Sequence, residues 1–487
     1  MSSLRNLASQ TVVYGLTTIL ARLLNFALTP IHTDLIPKSD YGVLSDLYSM
    51  IAFLMVILTF GMETAFFRFN RDAKYEQDKV FSHSLLFVVF TSALLIILSL
   101  VFNDSLAQTL KYEERSYLLH WMLAIVAMDA IAAVPFARLR ANNRPMRFLS
   151  LRLGSIGLMV ALNLFFFKVI PPLAAGADPG SWLYGAAEPE RFVVYVFLAN
   201  LIGNAFLMLL FLPEFLKIRW TLDPQLLRKM LLYASPLVIA GMAGVANEKA
   251  QFQFMKYLLP EPGNTEAMGV FNSMMKIATF MVLFIQAFRF AAEPFFFSGE
   301  GDFKTKMARV MRYFVLIQSI IFLALVCFTD FLQWTHFIDP KFWEGWHIVP
   351  ILLFANLLLG INFNLNIWYK LENRTQIGTY ISFFGLAFTV VFNLLLVPVF
   401  SYTGAAWATL ISYAAMTAYS YHLNQKHART AYPLRAIFMY LGLSLIGAVL
   451  AYYIFDHYWL SGLIIFSLYG SFVLWLEWPQ LKKLKRT

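Results

Sequence analysis

Two cationic side chains, Arg22 and Lys249, lie inside long apolar stretches of this 487-residue chain. A charge at the centre of a bilayer costs at least about 2.5–3.5 kcal/mol on insertion scales, so it usually serves a function. Arg and Lys are the side chains that proteins use to hold phosphate and carboxylate groups. The two positions therefore predict an anion-binding site within a membrane.

The same two positions are equivalent in an internal repeat. Tyr41-Gly42-Val43 aligns with Met268-Gly269-Val270 at an offset of 227 residues (268 − 41), and this offset takes residue 22 to residue 249. Five further residues recur at an offset of 230 (370 − 140): Arg140, Asn143, Arg144, Asn163 and Leu164 reappear as Lys370, Asn373, Arg374, Asn393 and Leu394. Such a duplication is typical of transporters, which place one central site between two halves.

The composition favours lipid as the main solvent. Hydrophobic residues make up 59% of the chain and charged residues only 14%, which a soluble protein of this length could not bury. The single cysteine, Cys327, excludes a disulfide framework, and the eight histidines show no metal-ligand spacing. We therefore expect an all-α polytopic membrane protein without a metal site.

Apolar segments long enough to span a bilayer, about 20 residues each, occur about fourteen times. They cover 7–29, 43–67, 80–102, 116–137, 148–170, 192–212, 229–258, 266–290, 310–332, 347–369, 376–399, 404–423, 435–455 and 460–478. Six crossings preserve orientation, so the repeat predicts two six-helix lobes related by a pseudo-twofold axis along the membrane normal. The predicted lobes are 1–220 and 221–430, and 431–487 adds two helices and a basic tail.

Basic residues are concentrated in alternate loops, including 68–79, 138–147, 304–312 and 482–486. The loops near Ser401 and Asp456, on the opposite side, contain none. The positive-inside rule then predicts that both termini lie in the cytoplasm. This distribution also explains the net charge of +10 without a nucleic-acid partner.

Three cations are predicted at a similar depth. Arg22 precedes Pro30 by about 8 residues, or 12 Å of helix, and Lys249 precedes Leu258 by about 9, or 14 Å. Lys276 follows Glu266 by about 10 residues, or 15 Å, on a helix of opposite direction. We expect all three to face a water-filled cleft rather than lipid.

Helical spacing adds two polar neighbours to this predicted site. Asn25 shares a helical face with Arg22, and Gln253 shares one with Lys249. The alternative is structural: the cations snorkel to the interface, or Glu248 beside Lys249, or Asp129, neutralises one of them. Asp129 is also a candidate for coupling to an ion gradient.

A second charged group is predicted at the cytoplasmic ends of the second and eighth spans. Glu63 lies near Arg68, and Arg289 lies one helical turn before Glu293, so the latter two can pair. Together with Glu248 these residues are candidates for a cytoplasmic gate. Interfacial ion pairs contributing less than about 1 kcal/mol are the favoured explanation for this cluster.

Several classes of function are excluded by missing motifs. The sequence contains no phosphate-binding loop of the G-x-x-x-x-G-K-[ST] type, no His-Glu metal motif and no nucleophile elbow. No extracytoplasmic loop is long enough for the catalytic domain of a membrane glycosyl polymerase or ligase. We therefore predict a transporter without catalytic residues or a cofactor.

Two stretches of the chain resemble a known family. The residues 269–277 (GVFNSMMKI) and 284–295 (FIQAFRFAAEPF) resemble bacterial polysaccharide-transporter flippases. These are the O-antigen-type members of the multidrug/oligosaccharidyl-lipid/polysaccharide (MOP) exporter superfamily. Arg22 followed by Pro30, Asp40-Tyr41-Gly42, and the stretch from Gly61 to Arg68 are similar to the opening of that family.

The resemblance implies a two-lobe flippase of the bacterial inner membrane that moves undecaprenyl-pyrophosphate-linked oligosaccharide outward by alternating access. Arg22, Lys249 and Lys276 would then contact the pyrophosphate and inner sugars. A polysaccharide polymerase and chain-length proteins would be its partners, a monomer would suffice, and the coupling ion would be H⁺ or Na⁺. Many relatives have an Asp-Arg pair where this chain has Glu248-Lys249, which keeps the charges but loses the bidentate guanidinium.

Two other functions remain open within the same superfamily. A lipid II flippase of peptidoglycan synthesis is compatible with fourteen helices. A multidrug cation antiporter would instead use a carboxylate buried within a lobe, for which Asp129 and Glu63 are the candidates.

Overall fold

The computed structural model of the protein describes residues 15, 17, 19–178, 180–218, 223–297, 303–372, 374, 376–456 and 458–484. At 290–297 and 479–484 it describes the backbone alone. All regular structure in these ranges is helical, which confirms the predicted all-α polytopic fold.

The chain divides into two compact units, 1–269 and 270–487. The first begins with helix α1 at 19–27. It continues with α2 (Thr29–Leu35), α3 (Lys38–Thr59), α4 (Met62–Asn70), α5 (Gln77–Val101), α6 (Asn103–Thr109), a 3₁₀ turn (Glu113–Arg115), α7 (Ser116–Ala141), α8 (Pro145–Leu164), a π-helical segment (Phe165–Val169), α9 (Ile170–Ala175), α10 (Trp182–Gly185), α11 (Arg191–Leu210), α12 (Leu212–Phe215) and α13 (Pro224–Leu258).

Helix α14 (Gly263–Phe297) contains the boundary between the units. The second unit continues with α15 (Phe303–Cys327), α16 (Thr329–Trp334), a 3₁₀ helix (Pro340–Ile348), α17 (Val349–Leu365), α18 (Ile367–Leu371), α19 (Gln376–His427), α20 (Leu434–Val449), a π-helical segment (Leu450–Ile454) and α21 (Trp459–Leu484).

Among the described residues, twelve helical stretches are long and apolar enough to cross a membrane, and each overlaps a predicted span. One of them, α19, has 52 residues and would extend about 78 Å at 1.5 Å per residue, more than two bilayer cores. Its backbone breaks at Ser401, where φ is 51°. The stretch therefore contains the two predicted spans 376–399 and 404–423. The predicted first span, 7–29, lies partly outside the described residues.

The predicted span 43–67 consists of two helices. Phe60 and Gly61 adopt left-handed backbone conformations, with φ of 43° and 65°, and separate α3 from α4. Glycine adopts this conformation without a steric penalty, which explains its place at the break. The break places Glu63 in the first turn of α4.

Helix α13 packs against the helices of the first unit. A buried apolar cluster joins it to α3, α4, α5 and α7, with Phe66, Phe81 and Met230 at most 1% exposed. The predicted boundary between lobes, 220/221, would assign α13 to the second lobe. The compact units divide later, at 269/270, because α13 shares this cluster.

The start of α13 is fixed by its N-cap. The Asp223 carboxylate accepts hydrogen bonds from the backbone N–H groups of Gln225 (2.9 Å) and Leu226 (3.1 Å). These hydrogen bonds hold the pKa of the Asp223 carboxyl below its usual value, and the bond from Leu226 has the largest effect. The Asp223 backbone N–H in turn donates to His83 Nε2 at 2.6 Å, which ties α13 to α5.

The two C-terminal helices pack within the second unit. Arg312 on α15 donates through Nη2 to Glu477 Oε1 on α21 at 2.7 Å, and the Tyr440 hydroxyl on α20 donates to the same oxygen. The Tyr469 hydroxyl donates to Ser319 Oγ at 2.7 Å. Polar side chains thus join α20 and α21 to α15.

Candidate functional site

A cavity of about 610 Å³ lies among the membrane-spanning helices of the first unit. Residues of α1, α3, α4, α7, α8 and α11 line it, so it lies within one unit. Its charged and polar wall comprises Arg22, Asn25, Tyr48, Glu63, Asp129, Arg140, Arg152, Asn200 and Asn204. The volume falls within the range usual for small-molecule pockets.

Arg22 and Asn25 line this cavity together from α1. Their three-residue spacing places both side chains on one helical face, as the sequence predicts. Both are exposed, and the cavity supplies the accessible space for them. The Arg22 guanidinium also interacts electrostatically with the Glu248 carboxylate of α13.

Lys249 pairs with its neighbour Glu248, Nζ to Oε1 at 3.1 Å, with side chains 30% and 58% exposed. One carboxylate, Glu248, therefore acts on both repeat-equivalent cations, Arg22 and Lys249. The Lys249–Glu248 pair is one of the contacts that the structural alternative anticipated. The cavity wall includes Arg22 and does not include Lys249.

Gln253 belongs to a different polar cluster from Arg22. Its Nε2 donates to Asp46 Oδ1 at 2.7 Å and to Ser49 Oγ at 3.1 Å. Lys256, one turn further along α13, binds Asp46 Oδ2 at 2.6 Å. In the structure the Gln253 side chain thus contacts α3. The predicted contact of Gln253 with substrate stays a prediction.

Lys276 lies on α14 in the second unit and is partly buried. Its predicted contact with substrate beside Arg22 and Lys249 stays a prediction, because those two cations lie in the first unit.

Asp129 lies in the cavity wall, about 18 Å of helix from the end of α7 at Ala141. The side chain of Asn204 hydrogen-bonds to it, and Arg152 acts on it electrostatically. Asn200 Nδ2 donates to the Tyr48 hydroxyl at 2.6 Å in the same wall. The cavity therefore contains a carboxylate deep within a lobe, the feature a cation antiporter would need.

Arg152 is a cavity residue that the sequence analysis missed. It lies about 10 Å of helix from the start of α8 at Pro145, with its guanidinium 5.6 Å from the centre of the Phe136 ring. The signal that identified Arg22, a cation within a predicted span, was present here too, since 152 lies within 148–170.

Glu63 pairs with a residue of a distant helix. Arg140 Nη2 donates to Glu63 Oε1 at 2.6 Å, and both residues line the cavity. Arg68, the partner expected from sequence proximity, is exposed. Arg140 was predicted only as part of a basic loop, but its side chain forms one end of the cavity wall.

Arg289 lies in the second unit, with its guanidinium 5.2 Å from the centre of the Phe363 ring. The side chain of Glu293, its predicted partner, lies outside the described residues. The predicted pair of Arg289 and Glu293 therefore stays a prediction.

The charges of the cavity wall favour an anion. Three guanidinium groups, Arg22, Arg140 and Arg152, face two carboxylates, Glu63 and Asp129. Each guanidinium presents a planar set of donors that matches two phosphate oxygens. The wall has a formal excess of one positive charge, and the Glu248 carboxylate of α13 acts on Arg22 in addition.

Neither a protein-family model nor a curated protein sequence matches the chain. Among solved structures, the lipid II flippase MurJ in an inward closed conformation superposes with a TM-score of 0.73. The match covers 95% of this chain and 99% of that chain at 12% sequence identity.

Multidrug transporters give further matches. An inward-facing multidrug resistance MATE family transporter of the MOP superfamily superposes with a TM-score of 0.62, covering 83% of this chain and 94% of that chain at 14% identity. The MATE multidrug transporter DinF-BH also gives 0.62, covering 88% of this chain and 96% of that chain at 15% identity. At these identities the likeness establishes the fold: a multi-pass membrane protein built like the flippases and transporters of that superfamily.

Proposed function

We propose that the protein is a flippase that exports undecaprenyl-pyrophosphate-linked oligosaccharide units across the bacterial inner membrane for the assembly of surface polysaccharide. It works by alternating access as a monomer without a cofactor, with both termini in the cytoplasm. A polysaccharide polymerase and chain-length proteins act on the exported unit. The observation that carries the proposal is the cavity of about 610 Å³ inside the membrane-spanning helices, with three arginines in its wall.

Recognition of the pyrophosphate begins at Arg22. Its guanidinium faces the cavity beside the Asn25 amide, so the pair offers charged and neutral donors on one face. In the present state Glu248 serves as the anion for Arg22 and Lys249. A pyrophosphate has more negative charge than one carboxylate and displaces Glu248 from both cations.

Two more arginines provide partners along the cavity wall. Arg140, next to the last residue of α7, binds Glu63, and Arg152 lies about 10 Å along α8. An anion moving along this wall exchanges one guanidinium for the next and is never left as an unpaired charge at membrane depth.

The direction of transport agrees with the charge of the substrate. A membrane potential that is negative inside favours outward movement of an anion by about 2.3 kcal/mol per charge per 100 mV. The same potential opposes export of a cationic drug. A gradient of H⁺ or Na⁺ would supply further driving force through a carboxylate such as Asp129.

Two observations favour alternative functions. The extensive match to the MurJ structure supports a lipid II substrate, whose pyrophosphate would bind the same arginines. The Asp129 carboxylate in the cavity, together with the MATE fold, supports a cation antiporter.

Flipping by the purified chain in liposomes tests these candidates. The assay offers a fluorescent undecaprenyl-pyrophosphate oligosaccharide, fluorescent lipid II and a cationic dye in separate preparations, and follows loss of inner-leaflet signal to an impermeant quencher. We expect flipping of the pyrophosphate lipids and no dye transport. Dye transport that requires Asp129, with no lipid flipping, would contradict the proposal and identify the antiporter.

A further inference from the structure

Two glycines allow a close helix crossing at repeat-equivalent positions. A Cβ atom on Gly42 of α3 would overlap the carbonyl oxygen of Thr265, in the first turn of α14. A Cβ atom on Gly269 would overlap the carbonyl oxygen of Lys38 and lie 3.2 Å from Gly42 N. Only glycine permits backbones to approach so closely.

The sequence repeat relates the two glycine contacts of this crossing to each other. The offset of 227 residues takes Lys38 to Thr265 (38 + 227) and Gly42 to Gly269 (42 + 227). The contact of Gly42 with Thr265 is therefore the image of the contact of Gly269 with Lys38. In a symmetric interface residue i contacts j and j contacts i, and the two glycine contacts follow this pattern.

A buried ion pair lies next to the crossing. Asp46 on α3 is fully buried and binds Lys256 Nζ of α13 at 2.6 Å, with Lys256 only 5% exposed. The Tyr112 hydroxyl donates to Asp46 Oδ2 at 2.7 Å, and Gln253 completes the set from α13. Separating such a pair without hydrating it would leave two buried charges, which is strongly unfavourable.

Two further ion pairs surround the same helix ends. Lys111 Nζ binds Glu261 Oε1 at 2.8 Å and joins the segment before α7 to the segment after α13. Arg115 binds Asp40 in the first turn of α3 at 2.5 Å. By the predicted topology all these residues lie at the extracytoplasmic ends of their helices.

We propose that the Gly42–Gly269 crossing and the Asp46–Lys256 pair form a lock that closes the extracytoplasmic end of the substrate path. The lock is closed in this structure. Release of substrate requires the two helix ends to part, which admits water to Asp46 and Lys256 and hydrates both charges together. The crossing and the pair thus have two stable arrangements, packed and dry or separated and wet.

The lock rests on the proposed function, since a closed end has meaning only for a transporter, but its test needs no substrate. A reporter cysteine replaces Ala133 in the cavity wall, in a Cys327→Ser background, and right-side-out membrane vesicles are exposed to a membrane-impermeant maleimide. A methyl group at either glycine prevents closure. Gly42→Ala and Gly269→Ala should therefore each raise the labelling rate severalfold and to a similar extent.

The matched control is Gly244→Ala on α13, where an added Cβ meets no atom within 4 Å and labelling should stay at the parental rate. Asp46→Asn is nearly isosteric and should raise the labelling rate as the glycine variants do. If the glycine variants fail to fold, the labelling rate of Asp46→Asn alone tests the lock. Parental labelling in a folded Gly42→Ala, Gly269→Ala or Asp46→Asn protein would overturn the lock.

Flipping by the parent protein separates the two proposals. If labelling rises in the variants but the parent flips no lipid, the lock holds and the proposed substrate is wrong. If the parent flips lipid and labelling does not change, the flippase holds and the lock is wrong.

Discussion

Glu248 is the residue on which the charge balance of the candidate site depends. It lies 3.1 Å from Lys249 and interacts with Arg22, so one carboxylate acts on two repeat-equivalent cations. Under the proposed function, both cations have a partner while no substrate is bound, and that partner is a single exposed carboxylate that a more highly charged anion would displace.

Removing the Glu248 charge should make the site bind its substrate more tightly. In Glu248→Gln the amide keeps the shape of the side chain, but Arg22 and Lys249 lose their resident anion. We expect the apparent KM for the pyrophosphate lipid to fall severalfold and kcat to fall with it, because release becomes slow. The flipping assay over a range of substrate densities measures both, and a rise in KM would contradict the displacement model.

Part of this site was predictable from residue type alone. An arginine within an apolar span is identifiable without a structure, which is how Arg22 was found, and Arg152 carries the same signal. The partner of Glu63 was not predictable, because Arg140 lies 77 residues away and only the packing of α4 against α7 brings them together. The role of Glu248 likewise depends on the distance between α13 and α1.

At the level of helices, buried polar contacts determine which helices pair, because apolar packing alone does not. Lipid-facing and protein-facing surfaces are equally apolar in a membrane, so hydrophobicity does not determine which helices pair. In the first unit Asp46 and Lys256 connect α3 to α13. In the second, Arg312, Tyr440 and Glu477 connect α15, α20 and α21.

Breaking the Arg312–Glu477 contact should loosen the two C-terminal helices. Arg312→Ala leaves the Glu477 carboxylate, only 7% exposed, without its cation, and losing one partner of a buried pair costs on the order of 3 kcal/mol. We expect a clear fall in the thermal unfolding temperature in detergent. The double variant Arg312→Met/Glu477→Leu removes both charges and should recover most of that loss, and an equally unstable double variant would contradict the explanation.

Hydropathy predicted the helices well because the bilayer imposes both length and composition on each span. It did not predict the break at Phe60 and Gly61, because that break is a change of backbone conformation within a continuous apolar sequence. It did predict the division near Ser401, because the predicted spans 376–399 and 404–423 lie on either side of that break.

For the whole molecule, the sequence repeat relates more than two cations. The same offset that relates Arg22 to Lys249 relates Gly42 to Gly269, and those glycines meet in the structure. The repeat therefore has physical meaning at one crossing within the first unit. The chain shares its fold with MurJ and MATE structures, and its cavity wall combines three guanidinium groups with two carboxylates.

The most direct test of the account measures lipid flipping after the loss of each repeat-equivalent cation. Hydrogen bonds to charged groups contribute about 1.5–3 kcal/mol, so Arg22→Ala and Lys249→Ala should each slow flipping of the pyrophosphate lipid by about 10- to 150-fold. Arg71→Ala, which removes an exposed arginine at the end of α4, is the matched control and should flip at the parental rate. We expect this loss with unchanged amounts of folded protein, and full flipping by both variants would contradict a role for these cations in binding the substrate.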